Sequence, residues 1–276
     1  MNDRPMNDKL TPRMRGSQSP TKYLLSKVPE VTIYFWIIKI LATTVGETAA
    51  DYLNMNLGFG LQWTTVVTVI LLAVILAVQF RVDRYVPAVY WAAVLVISVT
   101  GTLITDNMTD ALHIPLEVST AVFAVALVVV FAAWYRVEGT LSIHSIRTPR
   151  REMFYWLAVL VTFALGTAAG DLIGEKMALG YPKSLLMFAV IIAVITVAHL
   201  GFKLNSVFAF WAAYIVTRPL GASMGDLLTQ PRANGGLGWN SSIVNIVFLL
   251  VIVALVGFLT VTRVDRIEND ARALPS

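Results

Sequence analysis

A chain of 276 residues in which 57% are hydrophobic and 14% charged has too little polar surface for an ordinary soluble domain, which carries about 25% charged residues. Cysteine is absent, which excludes disulfides and thiolate metal sites. The net charge of +4 is no nucleic-acid signal, because the basic residues gather in short segments between long apolar runs.

Residues 1–27 are polar and basic (Arg13, Arg15, Ser17, Ser19, Pro20) and lack the apolar core of a signal peptide. They are expected to form a disordered cytoplasmic tail. Eight apolar runs follow, predicting helices at about 31–53, 64–80, 86–106, 116–135, 153–173, 184–202, 206–228 and 242–262. Each reaches or approaches the roughly 20 residues that span a hydrocarbon core about 30 Å thick. The expected fold is an all-α integral membrane domain over 28–265, followed by a short cytoplasmic tail, 266–276.

Lysine and arginine partition sharply among the connections. Of 21, sixteen lie on the side of the N-terminus, three (Lys176, Lys183, Arg232) lie opposite, and two (Lys39, Arg218) fall inside helices. The positive-inside rule then places both termini in the cytoplasm.

The helices repeat in pairs, with units at about 28–84, 85–148, 149–204 and 205–265. Four segments align without gaps: FWIIKILATTVGETAAD, YWAAVLVISVTGTLITD, YWLAVLVTFALGTAAGD and FWAAYIVTRPLGASMGD. Each opens with an aromatic residue and a tryptophan (Trp36, Trp91, Trp156, Trp211). Ten residues on stands a glycine (Gly46, Gly101, Gly166, Gly221), four further a small residue (Ala50, Thr105, Gly170, Gly225), and next an aspartate (Asp51, Asp106, Asp171, Asp226). In these columns the sequence resembles a family of bacterial membrane-anchored proteins, functionally uncharacterised, built from four tandem two-helix repeats. The resemblance implies the architecture and a bacterial inner membrane, and no activity.

Because each unit contains two spans, all four Trp-to-Asp helices run the same way, so the repeats are parallel. Fifteen residues of helix rise about 22 Å, which sets the tryptophans at the inner interface as an aromatic belt and the aspartates near the outer end. Gly-x-x-x-small pairs, including Gly170 and Gly225, permit close helix packing and predict an inner bundle of the four odd-numbered helices. Four carboxylates at one repeat position, in helices set to pack together, are then expected to converge, whereas any single aspartate reads better as a hydrated helix end.

Unit one is the most charged. Glu47 lies one turn before Asp51, where the other units hold Thr102, Thr167 and Ala222. Lys39 is shallow enough to snorkel to the interface. Arg218 is deeper and precedes Pro219, an expected kink, where an ion pair with a unit-one carboxylate is open to it. The segments starting at Asp51 and Asp106 read as loops whose carboxylates, amides and methionines suit a divalent ion, with Glu47, Asp51 and Asp106 as the candidate metal set.

No nucleophile, phosphate-loop, dinucleotide or haem motif is present, so an enzyme is disfavoured and no resident cofactor is expected. The leading expectation is a transporter for a cation, a divalent metal such as manganese being the specific choice, in a proton-coupled export, with Glu47, Asp51, Asp106, Asp171, Asp226 and Arg218 lining the path. The rival is a membrane scaffold or sensor acting through its basic cytoplasmic segments. The partners are the lipid bilayer and a small ion or solute. A homo-oligomer is compatible with either reading.

Overall fold

The computed structural model describes residues 25–56 and 60–267. The predicted tail over 1–24 and the end from 268 onward lie outside the described residues. Eight α-helices follow one another: α1 (Ile33–Asp51), α2 (Leu61–Arg81), α3 (Pro87–Asp106), α4 (Leu116–Glu138), α5 (Pro149–Asp171), α6 (Tyr181–Phe202), α7 (Ser206–Thr229) and α8 (Ser241–Thr262). No strand occurs among the described residues.

Local chemistry sets the helix starts. The side chains of Thr32, Thr148, Asn205 and Asn240 accept hydrogen bonds from first-turn amides, and Pro87 and Pro149 occupy first-turn positions. Seven helices are long and apolar enough to cross a membrane. The exception, α7, has 24 residues but carries Arg218, Pro219 and Asp226, all buried.

The odd-numbered helices form a closed ring: α1 packs on α3, α3 on α5, α5 on α7, and α7 returns to α1. The even-numbered helices stand outside it, and each packs against the first helix of the following unit. Thus α2 lies on α3, α4 on α5, α6 on α7, and α8 closes the circle on α1. Burial follows this division. Helix α5 buries twelve of its 23 residues, whereas α6 buries three of its 22. The apolar surface left on the outer helices suits lipid rather than water.

The ring is held by two contacts that recur at every junction. An ideal Cβ placed on each motif glycine would stand 2.5–2.8 Å from the Cβ of the residue three before the next unit's glycine. The pairs are Gly46 with Ser98, Gly101 with Phe163, Gly166 with Arg218, and Gly221 with Thr43. Only glycine lets the backbones approach so closely, the small-residue packing common between apolar helices. Gly170 and Gly225 add looser contacts of the same kind, to Pro219 and Thr48.

The second contact is aromatic. The ring before each tryptophan packs on the next unit's tryptophan: Phe35 on Trp91 (5.4 Å), Tyr90 on Trp156 (5.4 Å), Tyr155 on Trp211 (6.2 Å) and Phe210 on Trp36 (5.9 Å). This corrects the expectation of an interfacial belt. Trp91, Trp156 and Trp211 are buried in the bundle core, and Trp36 is half-buried against it. Hydropathy places a tryptophan at a depth, but cannot distinguish the bundle interior from the lipid headgroups at that depth.

Chain outside the helices closes the tryptophan end. Lys27, expected in the flexible tail, is buried with its Nζ 2.6 Å from Glu152 and 3.0 Å from the Phe80 carbonyl. Gln79 donates to the other Glu152 oxygen. The backbone of 26–30 bonds to Ile146 and Tyr85 of unit two and Asp265 of unit four, and the Lys27 side chain reaches Phe80 of unit one and Glu152 of unit three, so the segment straps all four units.

Candidate functional site

Each ring helix presents one stripe to the axis, spaced by four residues. Four residues turn a helix by 400°, so successive members of a stripe stand about 40° apart and the stripe winds slowly along the helix. The stripes are Phe35, Lys39, Thr43, Glu47 and Asp51; Tyr90, Val94, Ser98, Thr102 and Asp106; Tyr155, Val159, Phe163, Thr167 and Asp171; and Phe210, Tyr214, Arg218, Ala222 and Asp226. Read across the four units, they form layers that change from aromatic at one end to acidic at the other.

The aromatic layer is filled. Phe35 packs on Phe210 at 5.9 Å, and the hydroxyls of Tyr90 and Tyr155 meet at 2.5 Å. In the next layer Lys39 is fully buried, donating to the Tyr214 carbonyl at 3.0 Å. Its ammonium lies 3.8 Å from the centre of the Tyr214 ring and 5.1 Å from that of Phe163. Lys39 therefore does not snorkel to an interface. The Tyr214 carbonyl and ring face receive its amine inside the bundle instead.

Arg218 occupies the centre. It is fully buried, and its guanidinium touches every other unit: Nη1 donates to the Thr43 carbonyl at 3.0 Å, and the two hydrogens of Nη2 are shared among Glu47 at 2.7 Å, Thr167 Oγ1 at 2.7 Å and Thr102 Oγ1. The expected ion pair with unit one is present, between Arg218 and Glu47. Pro219 does not break the helix, since α7 is continuous from Ser206 to Thr229.

Beyond stand the carboxylates, Glu47 in the next layer and the four aspartates in the layer after it. Oxygens of Glu47, Asp171 and Asp226 lie within 4.8 Å of one another. Asp226 is buried and Asp171 half-buried, and no hydrogen-bond donor among the described residues reaches either carboxylate. Asp51 and Asp106 are half-buried at the same level and within electrostatic reach of Glu47. They are not part of the closest group, so the cluster is Glu47, Asp171 and Asp226, where the sequence suggested Glu47, Asp51 and Asp106. The cause is the ring closure. Closure brings unit four beside unit one and leaves Glu47 facing unit three, neighbours that chain order conceals.

The aspartates also differ from expectation in their setting. In units one to three each is followed not by a loop but by a five-residue π-helical segment: Tyr52–Asn56, Asn107–Ala111 and Leu172–Lys176. Such turns concentrate at functional sites because the widened helix alters how side chains project. The third brings Glu175, which the repeat alignment passed over, within electrostatic reach of Asp171 and Asp226, with Tyr181 donating to it at 3.2 Å.

A group of three carboxylates with few competing donors can bind a divalent cation. Oxygens bound to one ion at roughly 2.1–2.6 Å stand at most about 4–5 Å apart, and these three meet that span.

A closed ring of four two-helix units around a polar axis defines the class, a multi-pass helical repeat bundle of membrane-protein type. The chain belongs to the family described as a Repeat of Unknown Function (DUF347), whose model matches four times, over residues 34–85, 89–140, 154–204 and 209–265. No curated protein and no solved structure matches the chain.

Proposed function

We propose that the protein is a multi-pass transporter of the bacterial inner membrane for a cation, with a divalent metal ion such as manganese as substrate. The observation that carries this reading is the convergence of Glu47, Asp171 and Asp226 on the axis of a closed helix ring. Buried carboxylates without donors are costly in a membrane unless a cation or protons neutralise them. A site that accepts both a divalent ion and protons has the chemistry of an exchanger, and proton-coupled export is the cycle we favour. Asp51 and Asp106, at the same level, extend the path toward the aspartate end.

The distribution of lysine and arginine supports eight spans with both termini in the cytoplasm. In that orientation the aspartate end faces outward, and the aromatic layer with its Lys27–Glu152 strap closes the cytoplasmic end. The arrangement then corresponds to a carrier whose site communicates with the outside.

Purified protein in liposomes tests the reading. Manganese flux is expected for the wild type and lost in Glu47→Gln, Asp171→Asn and Asp226→Asn, at unchanged protein level. Equal flux in all four proteins would refute it. Absence of flux across a panel of metals, combined with loss of cellular function on removal of residues 1–24, would favour the scaffold instead.

A further inference from the structure

Glu47 has two claimants. Its carboxylate accepts from Arg218 at 2.7 Å and also belongs to the three-carboxylate group. An ion held by that group needs a Glu47 oxygen, and a guanidinium N–H on the carboxylate opposes it by charge and by occupying acceptor lone pairs. From this geometry we infer that Arg218 is a built-in counter-cation, holding Glu47 when the substrate site is empty and yielding it when the metal ion binds. The inference rests on the cation-carrier reading above and adds the means by which the empty carrier completes its cycle.

Three features support the assignment. Arg218 has acceptors that do not depend on Glu47: the hydroxyls of Thr102 and Thr167 and the Thr43 carbonyl. All three are neutral, so the guanidinium can keep them after giving up Glu47. Its Nε carries no partner, which leaves one donor uncommitted. The repeat also shows that the arginine is not needed to build the ring. Its position is filled by Thr43, Ser98 and Phe163 in the other units, and the same glycine contact forms at all four junctions. A buried charge at one of four equivalent places, aimed at the one glutamate among four equivalent places, is an asymmetry that packing does not require.

The consequence concerns turnover. A carrier returning empty must take its carboxylates through a closed, water-poor state, and uncompensated charge there is costly. With Arg218 on Glu47 that return carries less net charge. Without Arg218, return is easiest with a metal ion in the site, so exchange of metal for metal is favoured over net movement.

Two measurements on protein in liposomes test this: equilibrium binding of Mn2+, and Mn2+ flux with and without Mn2+ on the far side. Arg218→Gln is expected to bind Mn2+ about tenfold more tightly and to raise the ratio of exchange to net flux by a similar factor, within the usual range of coupling between sites. The repeat supplies a second variant should the first fold poorly. In Arg218→Gln combined with Ser98→Arg, the guanidinium re-enters the axis from the equivalent position in unit two, over Gly46. That protein is expected to return both quantities toward wild type. An unchanged affinity and ratio in Arg218→Gln, or no recovery in a folded double variant, overturns the counter-cation role while leaving the carrier reading intact. Wild-type protein that neither binds nor exchanges Mn2+ removes both.

Discussion

Replacing Gly46 with alanine strikes the ring at one of its tightest junctions. The added methyl would lie 2.5 Å from Ser98 Cβ and 3.0 Å from the Ser98 carbonyl carbon, against an ordinary carbon–carbon contact of about 3.5–4.0 Å. Rotating the Ser98 hydroxyl away does not relieve this, because Cβ and backbone are the obstacle. Helices α1 and α3 must therefore part by about 1 Å, an overpacking that costs roughly 1–3 kcal/mol. Alanine recovers up to about 1 kcal/mol of helix propensity, leaving a net loss of about 1–2 kcal/mol. Gly257→Ala is the control, since nothing lies within 4 Å of a Cβ there and only the propensity gain remains. Thermal unfolding in mild detergent reads the difference, at about 2–4 °C per kcal/mol for a domain of this size. Gly46→Ala is expected to melt several degrees below wild type, and Gly257→Ala at or above it. Equal melting temperatures for the two variants would refute the close-contact account. Destabilisation at Gly46 with none at Gly101, Gly166 or Gly221 would refute the equivalence of the junctions.

The remaining predictions concern the strapped end. Lys27→Met leaves Glu152 buried without its cation and is expected to cost about 3–5 kcal/mol, whereas adding Glu152→Gln restores more than half, because the uncompensated charge is gone. Unfolding in detergent measures both, and a double variant no more stable than the single would count against the ion pair. Burial holds the Asp265 carboxyl above its ordinary value of 3.8, with Oδ1 left unpartnered, while the Tyr85 hydroxyl on Oδ2 pulls the other way. A raised native value means the folded state prefers the protonated acid. That contribution is complete below the unfolded value and is lost as pH rises through the native one. Asp265→Asn, which still accepts from Tyr85, should gain on wild type as pH rises above the ordinary carboxyl value of about 4. A stability difference independent of pH would rule this out.

The fold was largely legible because the repeat is written in residues whose roles are steric. Glycine at four equivalent places predicts close helix contact, and the contacts are there. The axis was less legible because its key residues break the repeat. Arg218 shares its column with Thr43, Ser98 and Phe163, and Lys39 shares its column with Val94, Val159 and Tyr214, so self-comparison gives neither residue a partner. The link from Arg218 to Glu47 could still be suspected, since both stand apart from their columns and lie in the first and last units. The convergence of Glu47 with Asp171 was out of reach, because it depends on which helices face each other across the ring. So was the Lys27–Glu152 pair, since a lysine in a basic, proline-rich stretch gives no sign of being buried. The π-helical segments escaped notice because Asp-Tyr-Leu-Asn and Asp-Asn-Met-Thr carry the composition of a loop.

The offset by which each outer helix rests on the next unit has a consequence for how the chain is made. No two-helix unit contains its own principal interface, since α2 belongs to the surface of α3, and α8 to that of α1. During synthesis α1 is the first helix to emerge and the last to be completed, because two of its neighbours, α7 and α8, are the final ones translated. Until then Lys39, Thr43 and Glu47 lack the helix that supplies their partners Tyr214, Gly221 and Arg218. The first helix must wait with Lys39 and Glu47 unpartnered by α7, and the ring becomes a closed object only when its last helices arrive.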